Sequence, residues 1–131
     1  MLRLLIAGFL MAHALIHGAI WLPQAFFGAK EWAPGSPFDP GHSWLLSPSV
    51  GNAARWPSVL LAVAAAVMYL AAGAGLFAGD EWWRTAAVAA SVLSLALFAL
   101  YFNPWLSLAV VIDVAIIWAL VWRGWLSAGI A

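Results

Sequence analysis

The sequence has no cysteine, and only five basic and five acidic residues among its 131. Without cysteine the chain cannot form a disulfide, a thiolate nucleophile, an iron–sulfur cluster or a cysteine-ligated zinc site. Because the basic and acidic residues balance, nothing would attract a phosphate backbone, and we expect no nucleic-acid partner. Charged residues make up 8% of the chain, against roughly 25% in soluble globular proteins. This composition excludes a soluble globular domain.

Hydrophobic residues make up 66% of the chain and are concentrated in four long runs. A helix needs roughly 20 residues to cross a bilayer core of about 30 Å, and lipid requires every backbone polar group to be paired within the segment. We therefore predict an all-α integral membrane protein, a single domain over 1–131 whose main partner is the lipid bilayer. The predicted transmembrane helices cover about 4–28, 57–79, 85–102 and 105–122.

The connections between the last three runs are short. Asn103 and Pro104 separate the third run from the fourth, and 79–84 separates the second from the third. Such short links join antiparallel neighbours, so the sequence predicts a four-helix bundle of up-down-up-down order.

The one long connection, 29–56, is predicted to be a cap loop between the first two helices. His42 lies close to Asp39 there, and we expect that pair to stabilise a turn rather than to bind a ligand. Residues that break helices and form turns are frequent in this loop: Pro34, Pro37, Pro40, Pro48, Gly35, Gly41 and Gly51.

Tryptophan and arginine predict how the chain lies in the membrane, because tryptophan favours the headgroup level and basic residues favour the cytoplasmic side. We expect one tryptophan belt from Trp21, Trp56 and Trp105, and the opposite belt from Trp82, Trp83, Trp122 and Trp125. The basic residues divide three to two in favour of the side that carries both termini, with Arg3, Arg84 and Arg123 against Lys30 and Arg55. This bias predicts cytoplasmic termini. The first run is too long for a cleaved signal peptide and is expected to be retained.

Three ionisable side chains interrupt the apolar runs: His13, His17 and Asp113. Such residues are expensive in lipid and face the protein interior. The two histidines are four residues apart and therefore lie on one face of their helix. Asp113 is near the middle of the fourth run, which neighbours the first in an up-down bundle. The sequence predicts a buried ion pair or hydrogen bond between Asp113 and one of the histidines.

Other polar residues of the runs are candidates for the same site. Tyr69 in the second run and Gln24 on the histidine face are expected to support it. Ser91, Ser94 and Tyr101 share one side of the third run. All four helices can thus contribute to one polar cluster.

Several chemistries fit this cluster. Two imidazoles and a carboxylate suit zinc or another divalent transition metal, with His13, His17 and Asp113 as ligands. Haem is less favoured, because two histidines on one face of a helix cannot be opposite axial ligands. A histidine beside an acid can also relay protons, and a quinone, carotenoid or lipid could bond to the same groups.

Two other functions remain open. The polar residues could serve helix packing in a structural or accessory subunit of a membrane complex, or the chain could be a minimal dimeric proton-coupled transporter. A ridge of small residues, Ala71, Gly75 and Gly79, suits either packing within the bundle or a homodimer contact. An enzyme is not indicated, because the sequence shows no nucleophile with an evident base and no phosphate-binding glycine loop.

The sequence resembles small bacterial four-helix integral membrane proteins that are DoxX-like in size and layout. The resemblance rests on Ala12-His13-x-x-Ile16-His17, on Ser43-Trp44-Leu45-Leu46, and on Asp113 in Val111-Ile112-Asp113. It implies a bacterial inner-membrane location and the same bundle. It implies no particular activity.

Overall fold

The computed structural model describes residues 1–27, 39 and 41–122, with the side chains of 24–27 outside that description. The regular structure of this part is entirely helical. The α-helices are α1 (Leu2–Phe27), α2 (Ser47–Val50), α3 (Arg55–Ala78), α4 (Trp83–Leu100) and α5 (Ser107–Ile117). Four segments are long and apolar enough to cross a membrane: Leu2–Pro23, Ser47–Ala78, Trp83–Leu100 and Pro104–Trp122. An all-helical chain with four apolar spans is therefore confirmed.

The end of the predicted cap loop is helical rather than irregular. The short helix α2 and a 3-10 turn, Gly51–Ala54, lead directly into α3. Pro48 is compatible with this because proline in the first turn of a helix costs no intrahelical hydrogen bond. Residues 29–38 and 40 of the predicted loop lie outside the described residues.

Both short connections carry specific end signals. Gly79 follows α3 with a φ of 90°, and its N–H donates to the carbonyls of Gly75 and Leu76. Glycine adopts this left-handed conformation without the penalty that a Cβ would impose. Between α4 and α5, the side chain of Asn103 accepts from Trp105 N and starts the 3-10 turn Pro104–Leu106. The first signal explains where α3 ends, and the second explains where the last span begins.

Spans that follow one another in the chain pack together: α1 contacts α3, α3 contacts α4, and α4 contacts α5. Gly73 of α3 lies close to the backbone of α1. A Cβ at this position would lie 2.7 Å from Cγ of Met11 and 3.0 Å from the backbone oxygen of Ala7. Only a residue without a side chain allows the two helices to lie this close.

We expect Gly73→Ala to lower the free energy of unfolding by about 1–3 kcal/mol, because the added methyl group overpacks the contact of α1 with α3. Gly8→Ala is the matched control, since nothing lies within 4 Å of a Cβ at Gly8. Denaturation of both variants in the same detergent measures the difference. Equal stability of the two variants would show that α1 and α3 do not meet at Gly73.

Two apolar layers fill the bundle on either side of its middle. The layer nearer the cap contains Trp21, Ala62, Leu97, Phe98 and Tyr101, and the layer nearer the N-terminus contains Leu10, Leu76, Trp83 and small alanines of α1, α3 and α4. Trp21 and Trp83 are thus buried, which corrects their placement in lipid-facing belts. Packing against neighbouring helices outweighs the headgroup preference at these two positions. The predicted belt residues Trp56, Trp82, Trp105 and Trp122 are exposed.

The last span packs less tightly than the other three. Within Pro104–Trp122, Asp113 is the one buried residue. The segment Trp118–Trp122 is a π-helix, which takes one more residue per hydrogen-bonded turn than α geometry and is frequent at functional sites. The fourth span therefore buries fewer side chains than the other three, and its apolar contacts with the bundle come from half-buried residues such as Val110 and Ile116.

Candidate functional site

Six polar side chains meet inside the bundle and form what we call the central polar site. Each is at most 4% exposed, and each lies near the middle of its span. Helical spacing groups them: four residues separate the two histidines of α1, and three separate the two serines of α4, so each pair lies on one face. The site comprises His13, His17, Tyr69, Ser91, Ser94 and Asp113.

The Asp113 carboxylate connects three of the four spans. Its Oδ1 lies 3.2 Å from Nε2 of His13 on α1 and accepts a 2.5 Å hydrogen bond from the Tyr69 hydroxyl on α3. Hydrogen bonds to an ionised carboxylate are short and roughly twice as strong as neutral ones. The structure therefore contains the histidine–aspartate contact that the sequence predicts, and it assigns that contact to His13.

Tyr69 extends the network to α4. Its hydroxyl oxygen lies 2.8 Å from Oγ of Ser91, and Ser91 Oγ also lies 3.0 Å from the Ala87 carbonyl oxygen. The single hydroxyl hydrogen of Ser91 serves one of these two acceptors at a time. Since Tyr69 gives its proton to Asp113, its oxygen is available as an acceptor toward Ser91. The Tyr69 hydroxyl is thereby fixed by two contacts, one with Asp113 and one with Ser91.

His17 has a different environment from His13. Its Nδ1 lies 3.1 Å from the backbone oxygen of His13, and its Nε2 lies 2.7 Å from Oγ of Ser94. A carbonyl can only accept, so Nδ1 carries the hydrogen and neutral His17 accepts from Ser94 at Nε2. The Nε2 lone pair of His17 is thus directed at the Ser94 hydroxyl, which a metal ion would have to replace.

The second oxygen of Asp113 distinguishes this site from a satisfied packing contact. Oδ2 is buried and has no hydrogen-bond partner among the described residues. Leaving a buried polar atom unpaired costs about 1–3 kcal/mol, and more when the group is charged. A bound proton or cation would remove this cost.

The same donor set could hold a metal ion. One ligand atom each from His13, His17 and Asp113 lies within 4.8 Å of the others. Two imidazole nitrogens and a carboxylate oxygen suit zinc-like divalent transition metals, which leave the fourth position of a tetrahedral site to another ligand.

The other residues that the sequence predicts for this site do not contribute to it among the described side chains. The side chain of Gln24 is not among the described residues. Tyr101 lies at the end of α4 and donates to the carbonyl of Ala54. Near the cap, Oδ1 of Asp39 accepts from Gly41 N, and His42 N donates to the Asp39 carbonyl, so this segment is a turn.

The small-residue ridge of α3 makes contacts within the chain. A Cβ on Gly75 would lie 3.0 Å from the Trp82 ring, and Gly79 ends the helix. Ala71 is half-buried. Use of the ridge in a homodimer stays a prediction.

The sequence reasoning missed Phe9, whose ring stacks on that of His13 with centroids 6.0 Å apart and an interplanar angle of 15°. Phe9 precedes His13 by four residues, and this spacing was the signal available in the sequence. The site thus has an aromatic wall on α1.

Comparisons of this chain with protein-family models, with curated proteins and with solved structures find no match. The functional interpretation therefore rests on the geometry of the central polar site.

Proposed function

We propose that the four spans cross a membrane and that the protein binds and releases a proton at its centre, as a proton relay or a proton-coupled carrier. The proton is held by the pair of His13 and Asp113, which lie 3.2 Å apart. The observation that carries the proposal is a fully buried carboxylate with one oxygen near a histidine and the other without a hydrogen-bond partner among the described residues.

Charge balance favours a proton over other cations. An ionised carboxylate alone would leave one negative charge in an apolar interior, at a cost of several kcal/mol. One proton shared between His13 and Asp113 makes the site neutral. A divalent metal would instead leave one positive charge, unless Tyr69 or another group supplied a second negative charge.

The neighbouring groups suit this role. The Tyr69 hydroxyl donates to Asp113 Oδ1 in either charge state of the pair, and Ser91 holds Tyr69 in position. Histidine is the side chain whose ordinary titration falls near neutral pH. The pair can therefore change its proton occupancy without rearranging the helices that carry it.

Infrared spectroscopy of the protein in lipid nanodiscs tests the proposal, because the carbonyl band of a protonated carboxylic acid is distinct from that of a carboxylate. Over about pH 3 to 8, where carboxylates and histidines titrate, the spectrum of wild type minus that of Asp113→Asn should contain a titrating acid band, because the other four acidic residues contribute to both proteins. Asp80→Asn is the matched control, since Asp80 lies in the exposed turn after α3. It should leave the band of the central site unchanged.

A folded protein whose titrating acid band is the same in wild type and in Asp113→Asn would overturn the proposal. If Asp113→Asn then changed only the denaturation midpoint, the pair would serve helix packing, as expected for a structural or accessory subunit.

A divalent metal site is the second candidate, supported by the three ligand atoms within 4.8 Å and by the fixed orientation of His17. His17→Phe separates the two functions. It removes a metal ligand and leaves the pair of His13 and Asp113 in place. After incubation with Zn²⁺ and removal of excess ion, elemental analysis should find zinc in wild type and none in His17→Phe if the metal function is correct. A proton site keeps its infrared titration in the same variant.

A further inference from the structure

An apolar groove of about 290 Å³ runs between α1 and the fourth span. Ile6, Phe9 and Leu10 of α1 belong to one wall, and the fourth span forms the other wall between Ile112 and Leu120. Every lining residue is apolar. The interior of the groove therefore suits a hydrocarbon segment rather than a polar or charged group.

The groove runs from the middle of the bundle toward the end that carries the N-terminus. Ile112 precedes Asp113 of the central polar site, whereas Leu120 and Trp83 pack in the apolar layer nearer the N-terminus. At about 1.5 Å per residue, the wall from Ile112 to Leu120 is about 12 Å long. One leaflet contributes about 15 Å of hydrocarbon, half of the bilayer core. The groove thus follows the direction and most of the length of one acyl chain in a bilayer.

A basic side chain lies at the N-terminal end of the groove. Trp83 lines the groove and is the first residue of α4, and the guanidinium of Arg84 lies over its ring, with Cζ 5.8 Å from the ring centroid. The end of a transmembrane helix lies at the headgroup level. Arginine binds phosphate through two parallel hydrogen bonds. A phosphate-binding group therefore stands beside the groove at the depth of lipid phosphates.

The walls of the groove leave apolar surface that a bound chain would cover. Phe9 is 46% exposed, and Ala115, Ala119 and Leu120 of the fourth span are exposed or half-buried. A chain in the groove would contact α1 and the fourth span at the same time. It would thus add apolar contacts between the fourth span and the rest of the bundle.

We infer that the groove binds one acyl chain of a membrane phospholipid and that the phosphate of this lipid pairs with Arg84. This inference rests on the membrane insertion in the proposed function, and it does not depend on the proton at the central site. Asp80 and Glu81 lie in the exposed turn before α4. Because these acids balance the basic charge nearby, the site recognises the phosphate itself rather than the net charge of the lipid.

The test uses palmitoyl-oleoyl phosphatidylglycerol as the probe and the full chain in detergent. Native mass spectrometry of a titration measures the apparent Kd of the 1:1 complex. Wild type should bind this phospholipid about fivefold more tightly than the diacylglycerol with the same two chains, the usual effect of one basic residue near a membrane surface. The phospholipid should also raise the denaturation midpoint of the protein more than the diacylglycerol does.

Two pairs of variants locate the chain and the phosphate. Ala115→Trp fills the groove from an exposed position and should weaken phospholipid binding about tenfold. Val114→Trp should bind as wild type does, because Val114 is exposed on the same helix and does not line the groove. Arg84→Gln should remove the preference for phospholipid over diacylglycerol. Arg55→Gln is its matched control and should keep that preference, because Arg55 also lies over a tryptophan ring but begins α3 at the cap end.

Two results would overturn the inference. Equal phospholipid binding by Ala115→Trp and Val114→Trp would show that no chain occupies the groove. Equal binding of phospholipid and diacylglycerol by wild type would show that Arg84 does not hold the phosphate.

The infrared titration of Asp113 tests the proposed proton site separately. If the phospholipid binds as expected and Asp113 does not titrate, this inference stands and the proton site fails. If Asp113 titrates and the phospholipid does not bind, this inference alone fails. A chain that does not insert into lipid vesicles overturns both.

Discussion

Replacing His13 by alanine is expected to lower the free energy of unfolding by about 3–5 kcal/mol, the usual cost of leaving one partner of a buried ion pair alone. Asp113 is fully buried, and its Oδ2 has no partner among the described residues, so the loss of His13 leaves Tyr69 as its one neighbouring donor. The unpaired charge is then relieved in one of two ways: the carboxyl group takes up a proton, or α5 separates from the bundle and Asp113 becomes hydrated. Denaturation of the reconstituted protein at neutral pH measures the loss.

The double variant His13→Ala/Asp113→Asn tests whether the unpaired charge of Asp113 causes this loss of stability. Removing the charge together with its partner should recover a large part of the stability, so the two changes should be strongly non-additive. His42→Ala is the control for the loss of an imidazole, because His42 is exposed. Effects that add within about 0.5 kcal/mol would mean that His13 and Asp113 do not interact.

Trp21→Ala is expected to lower the free energy of unfolding by a similar amount, about 3–5 kcal/mol, because it leaves a cavity in place of a large buried side chain. Trp21 is 1% exposed, and its ring packs edge-on against Tyr101 with centroids 6.0 Å apart. The expected result is a lower denaturation midpoint with an intact infrared titration of Asp113. The apolar layer near the cap is separate from the pair.

Trp105→Ala provides the comparison, since Trp105 is 76% exposed and has the membrane-belt position that the sequence predicted for both residues. It should change the stability by less than about 1 kcal/mol, in the range of surface substitutions. Equal losses in the two variants would place Trp21 at the lipid surface rather than in the core.

The four spans and the members of the central polar site could be predicted from sequence because lipid imposes simple rules. A run of about 20 apolar residues has few alternatives to a transmembrane helix, and an ionisable residue within such a run faces inward. His13, His17 and Asp113 satisfy those rules without knowledge of any contact. Helical spacing then joins Ser91 to Ser94 on one face.

The contacts that depend on helix rotation and distance could not be predicted. The sequence does not distinguish Gly73, where α1 and α3 meet, from Gly75 of the predicted ridge, because both lie in the same alanine-rich stretch. Likewise, tryptophan near the end of a run suits either the headgroup level or the core, and the structure places Trp21 in the core. The distance between α1 and α5 is likewise set by tertiary packing, and no local pattern in the sequence encodes it.

The sparse burial of the fourth span has a consequence for local stability. Regions with few buried contacts open at a free energy well below that of global unfolding. Between Pro104 and Trp122 the one buried residue is Asp113, and the apolar contacts of this span come from half-buried residues such as Val110, Ile116 and Leu120. The fourth span is therefore expected to separate from the bundle at a lower free energy than the other three spans.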